Sequence, residues 1–258
     1  MSGESRLFRA RGFLNLVSLT LLQLAPSAAE NQPSPVQNEL QAIRSLIRRS
    51  SPRHTDAVYR YGKLLDRDDL TPEQKRTILS GLANSHISLK NFADAVRVLQ
   101  QALEDESAST RRVVNLNRRL GETLRKSEKP EEARQVFITA AEAAKRISPL
   151  EGIALEVEAF KCLTAGGKTD EAIEGLRNLI EDAQRQGASA FALVLIELAR
   201  TLAAKGEDTK ALETYQRLLS LPGLSSGNRE ICHRESGDIH RSNKRPEQAV
   251  AALTQLVI

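Results

Sequence analysis

The chain has no tryptophan, one methionine, two cysteines and only nine phenylalanines and tyrosines in 258 residues. So few aromatics leave little material for a base-stacking platform. Charge of one sign is also missing. Lys and Arg number 37 against 33 Asp and Glu, a net charge of +4. That balance does not indicate a partner such as nucleic acid or an anionic membrane surface. The mostly apolar stretch near the N-terminus, Phe13 to Leu24, has 12 residues, too few for a membrane span, which needs about 20. The cysteines, Cys162 and Cys232, lack metal-ligand spacing. No Ser/His/Asp or Cys/His arrangement is legible, so the expectation is a non-catalytic protein without metal or cofactor.

What is present begins at the N-terminus. Arg6, Arg9 and Arg11 precede the apolar run, and Ser27-Ala28-Ala29 follows it. Basic start, apolar core and small residues in that order predict a secretory signal over residues 1–29. Arg9-Ala10-Arg11 resembles a twin-arginine signal with its arginines separated, so the general export route is the expectation. Removing 1–29 takes away three arginines and Glu4, leaving 34 basic and 32 acidic residues. The expected organisation is a signal peptide (1–29), a linker (30–37) and one helical domain (38–258). The mature protein would be periplasmic or secreted, with no stable membrane span.

The rest of the chain repeats itself. Ala57, Ala95, Ala133, Ala172, Ala211 and Ala249 are separated by 38, 38, 39, 39 and 38 residues. The segments around them share one form: FADAVRVLQQAL, PEEARQVFITAA, DTKALETYQRLL. Each places apolar or small residues four and seven positions after the alanine, as in Phe137 and Ala140 or Tyr215 and Leu218. That spacing puts them on one helical face. A second helical pattern precedes each break, with a small residue at its middle: Ala83, Gly121, Ala199 and Gly237. Glycine inside a helix costs up to about 1 kcal/mol against alanine. A close helix approach is the expected reason, with Gly121 meeting Ala133. Asp170 and Asp208 follow glycine turns and are expected to help start their helices. On this reading the two cysteines lie two repeats apart, too far to pair, and are expected as free thiols.

Leu82-Ala83, Ala95, Leu99 and Ala102, and again Leu120-Gly121, Ala133, Phe137 and Ala140, resemble the tetratricopeptide repeat. The resemblance covers about residues 38–258. The period is longer than the family's 34 residues, and the family's early tryptophan is absent. The resemblance implies an all-α fold, a right-handed α-solenoid of about six antiparallel helix pairs. It also implies a concave groove, lined by the first helix of each pair, that holds a peptide or partner helix.

Two motifs invite other readings. CLTAGGKT (162–169) resembles a phosphate-binding loop, but Cys162 stands where that loop needs glycine, and a helix precedes it rather than a strand. Gly167 and Gly206 are 39 residues apart, which predicts a repeated interhelix turn instead. His233 and His240 are seven apart, without the four-residue spacing of a helical metal site.

Function is therefore expected on the groove. The projected inward set is Ser80, Asn84, Arg118, Glu122, Arg125, Val157, Lys161, Ile196, Arg200, Arg234 and Asp238. Arg118, Arg125, Lys161, Arg200 and Arg234 would form a basic stripe able to hold carboxylates of a protein or peptide partner with an acidic segment. Charge reversal at Arg118, Lys161 and Arg200 is expected to weaken capture without unfolding the array. The family's lysine-asparagine-arginine carboxylate clamp is not reproduced; only Asn84 matches it. Two alternatives stand beside the scaffold. One is an enzyme or accessory subunit acting on extracytoplasmic polymers. The other is self-association through the apolar C-terminal edge, Leu256–Ile258.

Overall fold

The computed structural model describes residues 34–105 and 107–254. The signal-like segment 1–29 and the edge Leu256–Ile258 lie outside them. Two compact units are present, residues 1–42 and 43–258. The described part of the first unit is the beginning of a helix, α1 (Pro35–Ile47). It starts inside the stretch expected to be linker. Eleven further helices follow: α2 (His54–Leu65), α3 (Pro72–Ser88), α4 (Phe92–Leu103), α5 (Thr110–Lys126), α6 (Pro130–Lys145), α7 (Pro149–Ala165), α8 (Thr169–Arg185), α9 (Ala188–Ala204), α10 (Asp208–Leu219), α11 (Ser226–Ser242) and α12 (Pro246–Thr254). No strand occurs among the described residues.

Within residues 43–258, each helix packs on the next, from α2 against α3 to α11 against α12, and α7 also packs on α9. This is a solenoid of stacked helix pairs, the expected fold class. The six recurring alanines are all buried, five of them completely. The small residues of the first helices are buried too. Gly121 does make a close approach, but to Phe137 rather than to Ala133. A Cβ on Gly121 would lie 2.8 Å from Phe137 Cζ. In the next pair the roles reverse. Phe160 of α7 occupies the small-residue place, and Gly175 of α8 leaves no room for a side chain against its ring.

The turns repeat as faithfully as the helices. Lys90, Glu128, Gly167, Gly206 and Lys244 all adopt the left-handed conformation, with φ of 60°, 60°, 78°, 85° and 57°. They are spaced by the repeat. After each, the next N–H closes back on the last helical turn: Asn91 N–H to the His86 carbonyl at 2.9 Å, Lys129 to Leu124 at 3.0 Å, Lys168 to Leu163 at 2.9 Å. These are Schellman closures, in which one left-handed residue satisfies the final carbonyls. CLTAGGKT is one of them. Its Lys168 Nζ reaches Glu131 at 3.2 Å.

Starting signals differ between the two helix classes. Thr71, Ser109, Ser148 and Ser225 cap α3, α5, α7 and α11 by accepting a backbone N–H. Asp170 and Asp208 do not cap; they sit within the first turn of α8 and α10, where the helix dipole favours a negative charge.

A left-handed L-residue costs about 1–2 kcal/mol, of which glycine's extra chain entropy cancels about 0.5–1. Glu128→Gly should therefore stabilise the protein by about 0.5–1 kcal/mol. Chemical denaturation reads this directly; a lower midpoint would contradict the turn assignment.

Candidate functional site

The first helices place polar side chains on one face of the array. Their charges do not form a free basic stripe. Arg118 of α5 pairs with Glu151 of α7, which Arg111 also contacts. Arg125 reaches Glu158 of α7 at 2.6 Å. Glu158 holds Lys161 at 2.7 Å, one helical turn away. Lys161 then faces Glu197 of α9 at 3.8 Å, and Glu197 faces Arg200 at 3.7 Å. Arg200 makes a two-pronged contact with Glu235 of α11, at 2.6 to 3.1 Å. The Tyr215 hydroxyl donates to the same carboxylate. From Arg125 to Glu235 the charges alternate in a continuous ladder across four repeats, on α5, α7, α9 and α11.

The ladder corrects two expectations. The cations expected to await an acidic partner are already neutralised by Glu151, Glu158, Glu197 and Glu235. Reversing Arg118, Lys161 and Arg200 would set like charges against those acids, so the array would not be indifferent to it. Arg234 stands apart, in an exposed pair with Glu230 at 3.4 Å, while its neighbour Glu235 holds the ladder position. Asp238 pairs with Arg241. Val157 and Ile196 are buried and belong to the core rather than to the face.

Burial sets the energetics. Glu197 has a side chain only 9% exposed. Desolvation raises its pKa above the ordinary value, outweighing Lys161 and Arg200. Burial also pushes Glu158 and Glu235 up, but the contacts from Lys161 and Arg125, and from Arg200 and Tyr215, more than offset it, and both end below the ordinary value. Loss of solvent likewise raises both thiols to about 11. Cys162 and Cys232 are free and buried. Thiols so rarely ionised are poor nucleophiles.

Toward the N-terminal end of the face the ladder changes character. Arg119, rather than Arg118, reaches back to α3, donating to Ser80 at 3.2 Å and to Asn84 at 2.6 Å. Glu122 lies close enough to Arg119 to favour its charged form, against the desolvation that lowers its pKa. Beside Asn84 a cleft of about 430 Å³ opens between the end of α1 and helices α2, α3 and α5. Among the described residues, no cluster of three His, Cys, Asp or Glu is arranged to hold a metal, and no helix is long and apolar enough to cross a membrane.

A periodic rule underlies these contacts. The residue after the small position of one repeat meets the residue two before it in a neighbouring repeat. Asn84 meets Arg119, Lys161 meets Glu197, and Arg200 meets Glu235. The pairs lie 35 or 36 residues apart. Aligning the repeats and comparing these two columns would have exposed Glu197 and Glu235.

Tetratricopeptide repeat family models match residues 80–149 and residues 194–227. The chain is a tetratricopeptide-like repeat protein. Solved structures agree on the fold. A putative kinesin light chain from Podosopora anserina with nearly identical TPR-like repeats aligns at TM-score 0.54 and 18% identity, covering 69% of this chain and 91% of its own. BtubC from P. vanneervenii aligns at 0.55 and 13%, covering 87% and 90%. A Rap protein, solved in complex with the Competence and Sporulation Factor, aligns at 0.53 and 11%, covering 89% and 66%. No curated protein matches the sequence. Tetratricopeptide-like arrays are generally non-catalytic scaffolds that bind protein partners.

Proposed function

We propose that this tetratricopeptide-like chain is an exported, non-catalytic adaptor whose first-helix face receives a polypeptide partner in the periplasm or outside the cell. The observation that carries the reading is the continuity of that face. Half-exposed polar groups from α3, α5, α7, α9 and α11 are held in fixed register by contacts between repeats. Side chains already ordered lose less entropy when a partner docks. The order of residues 6–29 supports export.

Affinity capture from the native envelope fraction, read by mass spectrometry, tests the partner. The double variant Glu122→Lys and Arg234→Glu perturbs the face at two places where no contact between repeats is broken. It should keep its circular dichroism and lose most of the captured protein. Capture at the wild-type level would move the binding surface elsewhere. Fractionation and N-terminal sequencing test export, with Glu30 expected as the first mature residue. A chain retained in the cytoplasm with residues 1–29 attached would overturn that part.

A further inference from the structure

The cleft beside Asn84 differs from the rest of the face in having more cations than acids to pair with them. Arg44, Arg48, Arg76 and Arg112 line it, and no acidic side chain does. Asp105 engages Arg76 at 3.1 Å, and none of the ion pairs among the described residues involves Arg44, Arg48 or Arg112. Elsewhere along the face each ladder cation has its carboxylate.

Two buried atoms in the same cleft lack partners. Arg112 Nε and His54 Nδ1 are both screened from solvent and make no hydrogen bond. A buried polar atom left unsatisfied costs about 1–3 kcal/mol, and native structures carry few of them. Both belong to residues that line the cleft.

We propose that this cleft receives the carboxylates of an acidic peptide segment of the partner. The inference rests on the adaptor reading above and adds the chemistry of the ligand. Guanidinium groups bind carboxylates through paired, charge-assisted hydrogen bonds. The cations come from the end of α1, from α3 and from α5, around about 430 Å³. Charges spread over three helices match several carboxylates along an extended chain better than a single small anion. The ladder sharpens the specificity: an acidic segment is attracted here and meets compensated charge from Glu151 onward.

The probe is a fluorescein-labelled heptaglutamate peptide, with anisotropy read on the purified protein. Saturable binding that weakens with added salt is expected. Arg44→Glu with Arg48→Glu should weaken it about tenfold or more, since each lost charge-assisted bond is worth about 1.5–3 kcal/mol. Both side chains are exposed, so the fold should be unchanged. Arg185→Glu, on the exposed end of the second helix α8 and away from the face, should bind as wild type. No saturable binding, or equal binding by the Arg44/Arg48 variant, would overturn the proposal. Displacement by inorganic phosphate at the same concentration as unlabelled peptide would also overturn it, leaving a general anion site. If the native partner is captured equally by the Arg44/Arg48 variant but not by the Glu122/Arg234 variant, the cleft proposal fails while the adaptor reading stands.

Discussion

Phe137→Ala should destabilise the protein by about 3–5 kcal/mol, the largest effect expected of any single truncation. The ring is completely buried and fills the space that Gly121 leaves open, with Cζ 2.8 Å from where a Cβ would stand. Its helix, α6, packs on both α5 and α7. The lost contacts therefore loosen two interfaces in the middle of the array. In a solenoid, stability is a sum of repeats and nearest-neighbour interfaces, so denaturation should broaden or split into two steps rather than simply shift. Gly121→Val alone should cost about 1–3 kcal/mol by overpacking against the ring. Combined with Phe137→Ala, the valine enters the vacated space, and the double variant should be more stable than the sum of the two losses predicts. The chain already shows the reversed arrangement, with Phe160 on the first helix and Gly175 on the second. Strict additivity would mean that glycine and ring do not share a site.

What could be read from the sequence followed from how local the cause is. The alanine period was legible because each alanine is excluded from growing by its own helix partner, whatever the neighbouring repeats carry. The break between the paired helices was legible in each repeat. Its left-handed residue was not, because lysine or glutamate stands at three of the five places where glycine would have announced it. The face was half legible. Helical projection selected Arg118, Glu122 and Arg125 on the correct helix but passed over Arg119, one residue or about 100° away, which makes the contact to Asn84. The basic stripe misled because projection lists one helix at a time. Glu151, Glu158, Glu197 and Glu235 lie 33 to 36 residues from their partners, and only the stacking of repeats brings them together. The cleft needed the structure outright, since its arginines come from separate helices and their distinction is that they outnumber the acids around them.

Glu235→Ala should cost about 2–3 kcal/mol at neutral pH. Glu235 closes the ladder by accepting three hydrogen bonds from two nitrogens of Arg200 and one from Tyr215. Truncation leaves the Tyr215 hydroxyl, on a side chain 1% exposed, without its acceptor. The effect stays below that of a fully buried pair because Arg200 is 40% exposed and keeps Glu197. Tyr215→Phe separates the contributions and should cost about 0.5–1.5 kcal/mol. The pH dependence follows from the carboxylate. Its folded pKa lies below the ordinary 4.5, so it contributes stability that is fully present above 4.5 and is lost as pH falls through the folded value. The gap between wild type and Glu235→Gln should accordingly be constant from pH 7 to about 5 and close progressively in more acidic solution. Glu197, with its raised pKa, acts in the opposite sense, and comparing the two proteins at each pH largely cancels its contribution. A gap that widened on acidification would place the stabilising charge elsewhere than on Glu235.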